Sequence, residues 1–360
     1  MAENTPQWQL IPLHEFKVPS PPLQEQAKRN WRQILNLFQS DDTQHEEVED
    51  RWRRLEKEII DRYIPTMDVE LATENIADQL DLDQPTILVA PPFCGLYEIS
   101  RQIVKKEDLP VLDAPPRAEL FGKQHYELPD TSFAIIGLEQ FFIRHSDGYG
   151  VVRYILQQAH HRPCLIVCGS WAWAFIQYLR DIPINDYTVR TLQSHADVAY
   201  WRERLRKNIE KDILYQGDSI LSEDHPAYLR NLISQGHGNW GVIRAMLKQD
   251  MRESDDYQHL FVKGDLPVQW SNRRRSMYFL THNILLHGPL SSDMLRLLHP
   301  MIDQVETHLR ELQQLDFIHY DNKLWYIQAH AYPRIHSALQ DQRFLDDNLL
   351  GDPREFREFI

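Results

Sequence analysis

The sequence predicts an α/β protein whose core is a parallel, doubly wound sheet, with helical segments before and after it. Short apolar runs alternate with amphipathic stretches between residues 81 and 200, which is the pattern of strand–helix–strand units. Periodic helical stretches dominate residues 1–80 and 201–270. A chain of 360 residues, 42% of them hydrophobic, has enough apolar surface for two or three domains.

Residues 1–80 are expected to form a helical hairpin. The stretch LQEQAKRNWRQILNLF places one apolar face at helical spacing, and a second such stretch follows the acidic break DDTQHEEVED. The apolar positions are Ala27, Trp31, Ile34, Leu35 and Phe38 in the first helix, and Trp52, Leu55, Ile59, Ile60 and Tyr63 in the second. The pattern fits both packing against the body of the protein and docking of a partner.

The predicted strands of the core are residues 86–90, 110–113, 132–138 and 163–169, and its predicted helices are 96–105 and 149–158. The last strand reads PCLIVCG and places Cys164 and Cys168 on one face, where core thiols are expected. Three cysteines in the chain do not make a disulfide framework. Residues 201–270 are expected to be largely helical, with no clear strand.

Residues 276–340 predict three helices followed by a hairpin. The first helix, SMYFLTHNILLHG, ends at Gly288, and PLSS supplies a break and an N-cap for the second. The third helix is MIDQVETHLRELQQL, and the hairpin is FIHY-DNK-LWYIQ with its Asp-Asn turn. This order of elements is typical of a winged helix.

Charge disfavours nucleic acid as a partner. The net charge is −14, and the densest basic run is Arg273-Arg274-Arg275, which is expected to be a solvated helix start. The third helix of the predicted winged helix would expose more acids than arginines. The first residues lack the features of a signal peptide, and the sequence has no apolar run long enough to span a membrane, so a cytoplasmic protein is expected.

No metal site is expected. The chain has 17 histidines, yet none forms an H-x-x-x-H or H-E-x-x-H pair. His160 and His161 are adjacent and precede a strand, where neighbouring side chains point to different faces. They are therefore interpreted as solvated loop histidines. The sequence also lacks a G-x-S-x-G elbow.

The stretch TILVAPPFCGLYEIS resembles a phosphate-binding loop that has lost its ligands. Laid on the pattern G-x-x-x-x-G-K-[ST], Ala90 takes the first glycine, Gly95 matches the second, and Leu96 and Tyr97 replace the lysine and the hydroxyl residue. The vestigial loop therefore comprises Ala90, Pro91, Pro92, Phe93, Cys94, Gly95, Leu96 and Tyr97. Leu96 supplies no charge for the β- and γ-phosphates, and Tyr97 does not hold magnesium as Ser or Thr does.

Across residues 80–340 the chain resembles a P-loop ATPase of the AAA+ or STAND type. The resemblance implies a catalytic role for Glu139, which follows the apolar strand AIIGL, should the protein be active. It also implies that Ser170 takes the place of a polar sensor, and that Arg244 is the candidate for an arginine that reaches the phosphates. The alternatives are an exposed acid for Glu139 and a helix cap for Ser170. Trp171, Trp173 and Phe175 are expected in the core.

Together the pattern and the resemblance divide the chain into five parts. These are a helical hairpin at 1–80, a degenerate P-loop NTPase-like α/β core at 81–200, a helical lid at 201–270, a winged helix at 271–345 and a C-terminal tail at 346–360. Retained architecture beside lost phosphate ligands favours a non-catalytic pseudo-ATPase that needs no cofactor.

The function predicted from the sequence is that of an adaptor or scaffold. It would act on protein partners or on further copies of itself, without insertion into a membrane, although a membrane protein could be its partner. Two alternatives remain open at this stage. One is a nucleotide-binding regulatory ATPase with atypical Walker motifs, in which Glu139 polarises water and an arginine replaces the lysine. The other is a DNA-binding regulator built on the winged helix.

Overall fold

The structure is a computed structural model that describes residues 8–16, 52–55, 57–64, 66–193, 197–215, 218–223, 226–254, 260–262, 273–342 and 344. The chain divides into two compact units. One contains residues 1–17, 67–193 and 269–360, and the other contains residues 18–66 and 194–268. We call them the sheet unit and the insert unit. The predicted domain boundaries at 80, 200, 270 and 345 stay a prediction.

The strands are, in chain order, β1 (Leu10–Pro12), β2 (Trp52–Arg54), β3 (Pro85–Ala90), β4 (Phe133–Ile136), β5 (Cys164–Gly169), β6 (Thr188–Leu192), β7 (Ile213–Tyr215), β8 (Asp218–Ser219), β9 (Met251–Ser254), β10 (Leu260–Val262), β11 (Ile318–Asp321) and β12 (Leu324–Ile327). The α-helices are α1 (Lys57–Tyr63), α2 (Val69–Ala77), α3 (Leu96–Lys106), α4 (Gly150–Ala159), α5 (Ser170–Ile176), α6 (Val198–Asn208), α7 (Ala227–Gln235), α8 (Trp240–Asp250), α9 (Arg275–His287), α10 (Ser292–Leu298), α11 (Val305–Gln314) and α12 (Tyr332–Asp341).

The sheet unit is built on a five-stranded sheet in the order β1-β6-β3-β5-β4. Strands β6, β3, β5 and β4 are parallel, and β1 joins β6 antiparallel. The residues of β3 are nearly all buried, as expected for a parallel strand covered on both faces. The prediction of a mixed α/β core with a parallel sheet is confirmed. Because parallel strands share one carboxyl edge, the segments after β3, β4 and β5 lie side by side.

The predicted strand at 110–113 is reduced to a single bridge. Val111 pairs in parallel with Ala134 of β4, and the hydrogen bonds run from Ala134 N–H to the Pro110 carbonyl and from Leu112 N–H to the Ala134 carbonyl. Pro110 has no N–H to offer a ladder, which limits pairing there. The structure adds β1 and β6, which the sequence did not predict.

The helices of the sheet unit bury one face each. In α3 the buried positions are Leu96, Ile99, Ser100, Ile103 and Val104, the spacing of an amphipathic helix. Trp171 and Trp173 on α5 are buried in the core, as predicted, while Phe175 is partly buried against it. Cys164 and Cys168 are buried thiols of β5, which confirms their interpretation as core residues.

The later part of the sheet unit contains α9, α10 and α11, then the antiparallel pair β11–β12, and then α12. Leu290, between α9 and α10, forms an antiparallel bridge with Trp325 of β12. The sequence did not predict α12. The element order of three helices and a hairpin is present, and its interpretation as a winged helix stays a prediction.

Two predictions from the sequence differ from the structure of the insert unit. Residues 201–270 contain β7, β8, β9 and β10, so the prediction of a helical region without strands is wrong. The predicted helix containing Trp52 begins only at Lys57, because Trp52–Arg54 pair with β9 as a strand. Both errors come from strands of two to four residues, which are too short to show alternation. The other predicted helix of the hairpin lies outside the described residues, as does the predicted tail at 346–360.

The sheet of the insert unit has the order β2-β9-β10-β7-β8. Its helices pack around a stacked pair of rings, Trp201 of α6 and Trp240 of α8, with centroids 4.3 Å apart. Arg204 lies over the Trp240 ring at 4.5 Å, a cation–π contact. Among the described residues of both units, no helix has the length and apolarity required to cross a membrane.

Candidate functional site

The candidate site lies at the carboxyl edge of the sheet, where the loop of residues 91–95 joins β3 to α3. Cys94 N–H bonds to the Pro91 carbonyl at 3.3 Å and closes a tight turn. Phe93 and Gly95 both have positive φ, at 66° and 86°. A side chain at position 95 is disfavoured by that φ, whereas the Met67 methyl group that its Cβ would meet is the end of a flexible side chain and can move. Glycine is therefore favoured where the phosphate-loop pattern also demands it.

Leu96 and Tyr97 occupy the two positions that would supply the lysine and the hydroxyl of a phosphate loop. Leu96 is fully buried in the core beneath the loop. The Tyr97 hydroxyl donates a hydrogen bond to Glu139 Oε1 at 3.0 Å. A hydrogen bond thus joins the two residues to which the resemblance assigned the magnesium-binding and catalytic positions. Burial, followed by the nearby charge of Glu139, holds the pKa of Tyr97 well above its usual value, so it remains a donor.

Glu139 is buried rather than exposed, which excludes the interpretation of a solvated acid at a strand end. Its Oε2 accepts a hydrogen bond at 3.1 Å from the backbone N–H of Gly169, the last residue of β5. Burial raises the pKa of Glu139, and the hydrogen bonds and the charge of Arg117 oppose that shift. Each carboxylate oxygen therefore already has a protein donor.

Arg117 is a second charged group at this edge, and the sequence did not point to it. Burial lowers its pKa, and the negative charge of Glu139 opposes that effect. Its Nη2 donates to the His287 carbonyl at the end of α9. Nη1 is buried and has no hydrogen-bond partner among the described residues. Arg117 follows Pro115-Pro116 and begins a 3-10 helix, Arg117–Leu120, which is too short for periodicity to carry a signal.

Histidines of α9 also pack against this edge. The backbone N–H of Arg144 donates to His287 Nε2 at 3.2 Å, and Arg144 Nη1 lies 3.1 Å from His282 Nδ1. The rings of His287 and Phe142 have centroids 5.0 Å apart. Burial, followed by neighbouring positive charge, holds the pKa of both histidines well below the usual value. They are neutral at physiological pH.

The loop also contacts α12. The ring of Phe93 meets that of Tyr332 edge-on, with centroids 5.9 Å apart. Trp171 Nε1 donates to the Tyr332 hydroxyl at 3.2 Å. Aromatic side chains thus stand beside the loop, where a phosphate site would present open backbone N–H groups.

Ser170, at the predicted sensor position, is buried and is the first residue of α5, with Gly169 as its N-cap. Arg244 lies in the insert unit, on α8. Its Nη2 pairs with Asp61 at 3.0 Å, and its Nε donates to the Ile64 carbonyl at 3.1 Å. The guanidinium predicted to reach a phosphate is engaged by an acid of its own unit.

No described group of three or more His, Cys, Asp or Glu side chains is placed to hold a metal ion. The His160 and His161 rings lie 3.5 Å apart, and His160 Nε2 is 3.8 Å from an Asp186 carboxylate oxygen. Burial raises the pKa of Cys164 to about 12, so this thiol is neutral.

Comparison with known proteins finds no matching family model and no matching curated protein. Two solved structures of RuvB from Thermotoga maritima are similar over 81% of this chain and 95% of theirs, at 12% identity and a TM-score of 0.29. One is a point variant of that protein, and the other is titled as the RuvB Holliday junction branch migration motor. At that TM-score the backbones differ too much for either structure to say what this chain does.

Proposed function

We propose that this chain is a non-catalytic adaptor or scaffold built on a degenerate AAA+/STAND-like fold, with a winged helix, that acts by protein–protein interaction in a larger assembly. One observation carries the proposal. Glu139, at the catalytic position, is buried and accepts hydrogen bonds from Tyr97 and from the Gly169 N–H. An acid that is satisfied from within the protein does not need a metal-bound water as its partner.

The other loop positions support the same proposal. Hydrolysis needs a cation at the β- and γ-phosphates, and Leu96 provides an apolar side chain at that place. A buried carboxyl group at the site repels a polyphosphate when it is ionised.

The predicted winged helix supports protein contact more than DNA contact. Each arginine of the run 273–275 is engaged within the sheet unit. Arg273 pairs with Glu311 at 3.7 Å, Arg274 lies 3.3 Å from His308 Nε2, and Arg275 lies over the Phe279 ring at 5.6 Å. Only the Arg273 contact is with an acid, and Arg274 and Arg275 are exposed, so the case against DNA rests on the net charge of −14.

Exposed apolar side chains in the same segment suit a protein partner. Met301 is 92% exposed and Leu297 is 52% exposed. They are four positions apart, at the end of α10 and just after it. Apolar side chains that stay in water in the free protein gain free energy when a partner covers them.

Calorimetric titration with Mg·ATP and Mg·ADP tests the lack of nucleotide chemistry. We expect no heat and no thermal stabilisation at millimolar nucleotide. A micromolar dissociation constant, which corresponds to about −8 kcal/mol, would overturn the pseudo-ATPase assignment.

Cross-linking mass spectrometry on the full chain in native lysate tests the adaptor role. We expect cross-links from the α10 region to a specific protein, lost in a Leu297→Ser/Met301→Ser variant. Leu71→Ser is the matched control, because Leu71 is an exposed apolar residue on α2 in the same unit, 42% exposed. Equal cross-linking in all three proteins would count against this surface as the site of interaction.

A nucleotide-binding regulator is the second candidate, and Arg117 is the observation that favours it. This arginine lies close enough to Glu139 to shift its pKa, and its Nη1 has no hydrogen-bond partner among the described residues. It is therefore the candidate substitute for the missing lysine. Nucleotide binding that is weakened in Arg117→Gln and unchanged in Arg101→Gln, an exposed arginine of α3, would establish this candidate.

A further inference from the structure

The edge of the central sheet beyond β4 borders a groove. The groove encloses about 490 Å³ between α3 and the segment around Val111, and its apolar lining includes Val104 and Phe141. Val111 is 48% exposed, although its bridge with Ala134 extends the sheet by one residue. An exposed sheet edge presents backbone groups with which another chain can pair.

The backbone at this edge has hydrogen-bonding groups that are open to a partner. The Pro110 carbonyl and the Leu112 N–H both bond to Ala134, so Val111 directs its own N–H and C=O away from β4. Neither group has a hydrogen-bond partner among the described residues, and the same holds for the N–H of Asp113, two positions further on. Pro110 stands at a position that faces β4, so its missing N–H removes no donor from the outer edge. Outward-directed groups on alternate residues are what a further strand pairs with.

Two basic side chains line the same groove. Arg101 and Lys105 lie one turn apart on α3, both are exposed, and neither forms an ion pair with a residue that the structure describes. Like charges at this spacing repel each other, and an acid that approaches both relieves the repulsion. The acids of the lining, Asp108 and Asp113, lie in the segments that follow α3 and the Val111 bridge. An acidic side chain of a ligand therefore fits beside α3, next to an apolar side chain against Val104.

We propose that this groove binds an extended segment of another protein, which adds as a strand beside Val111. The segment accepts a hydrogen bond from the Val111 N–H and donates one to the Val111 carbonyl. On the side that faces α3 it carries an acidic residue, which meets Arg101 and Lys105, and an apolar residue two positions away, which lies against Val104 and Phe141. Side chains two positions apart share one face of a strand.

This inference rests on the proposed adaptor role and names the class of partner for it. An adaptor that joins two proteins needs two binding surfaces. The exposed apolar side chains of the α10 region are one, and the groove beside Val111 is the other.

Selection of short random peptides displayed on phage tests the proposal, with the full chain as the target. We expect enriched sequences that carry an acidic and an apolar residue two positions apart. The most enriched peptide, labelled with a fluorophore, should bind Val111→Pro about tenfold more weakly than the unaltered chain in anisotropy titrations, because one backbone donor is lost. Val111→Ile keeps that donor and is the matched control. Selection without enrichment, or equal binding to all three proteins, would overturn the proposal.

A charge variant keeps the test decisive should the proline disturb the fold. Lys105→Glu should weaken binding of the same peptide roughly threefold, and a peptide with lysine in place of the acid should prefer this variant to the unaltered chain. Lys106→Glu is the matched control, because Lys106 is an exposed lysine of α3 outside the groove lining. Equal losses of affinity in Lys105→Glu and Lys106→Glu would refute the contact with α3.

Failure of this inference is distinguishable from failure of the adaptor role. Absence of peptide enrichment, together with cross-links from the α10 region, would overturn binding at the groove and leave the adaptor role in place. Peptide binding at the groove without any cross-linked protein would support the groove and count against the adaptor role. A dimeric mass in light scattering that becomes monomeric in Val111→Pro would show a second copy at this edge and would overturn the proposal of a different protein.

Discussion

Removal of the Tyr97 hydroxyl is the most direct test of the hydrogen bond between Tyr97 and Glu139. Tyr97→Phe keeps the ring and deletes the donor to Glu139 Oε1, 3.0 Å away, while the Gly169 N–H still donates to Oε2. A hydrogen bond to a buried charged acceptor contributes about 1.5–3 kcal/mol, and one between neutral groups about 1 kcal/mol. We therefore expect a loss of about 2 kcal/mol when Glu139 is ionised.

The loss of stability caused by Tyr97→Phe should increase with pH. Burial raises the pKa of Glu139 in the folded state, so the folded protein binds this proton more tightly than the unfolded chain. The Glu139 contribution to stability is therefore highest at acid pH and falls as pH rises through the folded pKa. The cost of Tyr97→Phe should accordingly be larger at about pH 8 than at about pH 5, because the lost bond is the charge-assisted one.

Differential scanning calorimetry at several pH values measures this effect. For the sheet unit, which spans about 240 residues, 2 kcal/mol corresponds to a fall in Tm of roughly 4–8 °C. Tyr320→Phe is the matched control, because that ring is 50% exposed and lies on β11. A Tyr97→Phe cost below about 0.5 kcal/mol at pH 8, or one equal to that of Tyr320→Phe, would refute the hydrogen bond as a structural contact.

Three further substitutions at buried contacts of the sheet unit should change its stability. Gly169→Ala should destabilise the sheet unit by about 1–2 kcal/mol in urea denaturation, because the new Cβ would lie 3.3 Å from the Tyr97 hydroxyl; a neutral effect would mean that the hydroxyl can move. Trp171→Phe should cost about 1 kcal/mol through loss of the neutral bond to Tyr332, and Trp171→Phe combined with Tyr332→Phe should cost less than the sum of the two single changes. The lowered pKa of His287 means that stability present above about pH 6.5 is lost as pH falls, so His287→Gln should flatten the fall in Tm between about pH 7.5 and 5.5.

The elements that the sequence predicted well are those whose burial is continuous. β3, β5 and α3 have long apolar runs or full helical periodicity, and each was found within two residues of its expected bounds. The missed strands are mostly short, and the paired strands β2, β7, β9 and β10 are defined by non-local hydrogen bonds. Such pairing is decided by tertiary contact, which a local pattern does not contain.

The candidate site shows the same limit. The resemblance to a P-loop ATPase pointed to Tyr97 and Glu139 separately. It marked Tyr97 as a replaced hydroxyl residue and Glu139 as a retained glutamate. Their hydrogen bond joins residues 42 positions apart, and the opposite oxygen of Glu139 is bound by a backbone group of another strand. Arg117 lies in a 3-10 helix of four residues, which is too short to show periodicity. The sequence showed which side chains could bind or donate protons, but only the fold shows which residues they form hydrogen bonds with.

The buried carboxyl group also has an evolutionary consequence. A lysine at position 96 would place an ammonium where Leu96 is fully buried, which is costly without a paired charge. A serine at position 97 would in turn leave Glu139 without its phenolic donor. Each single change toward an ATP-binding loop therefore weakens folding before any nucleotide can compensate. Several coordinated changes would therefore be needed at once, and the present arrangement makes the evolution of ATP binding by single substitutions unfavourable.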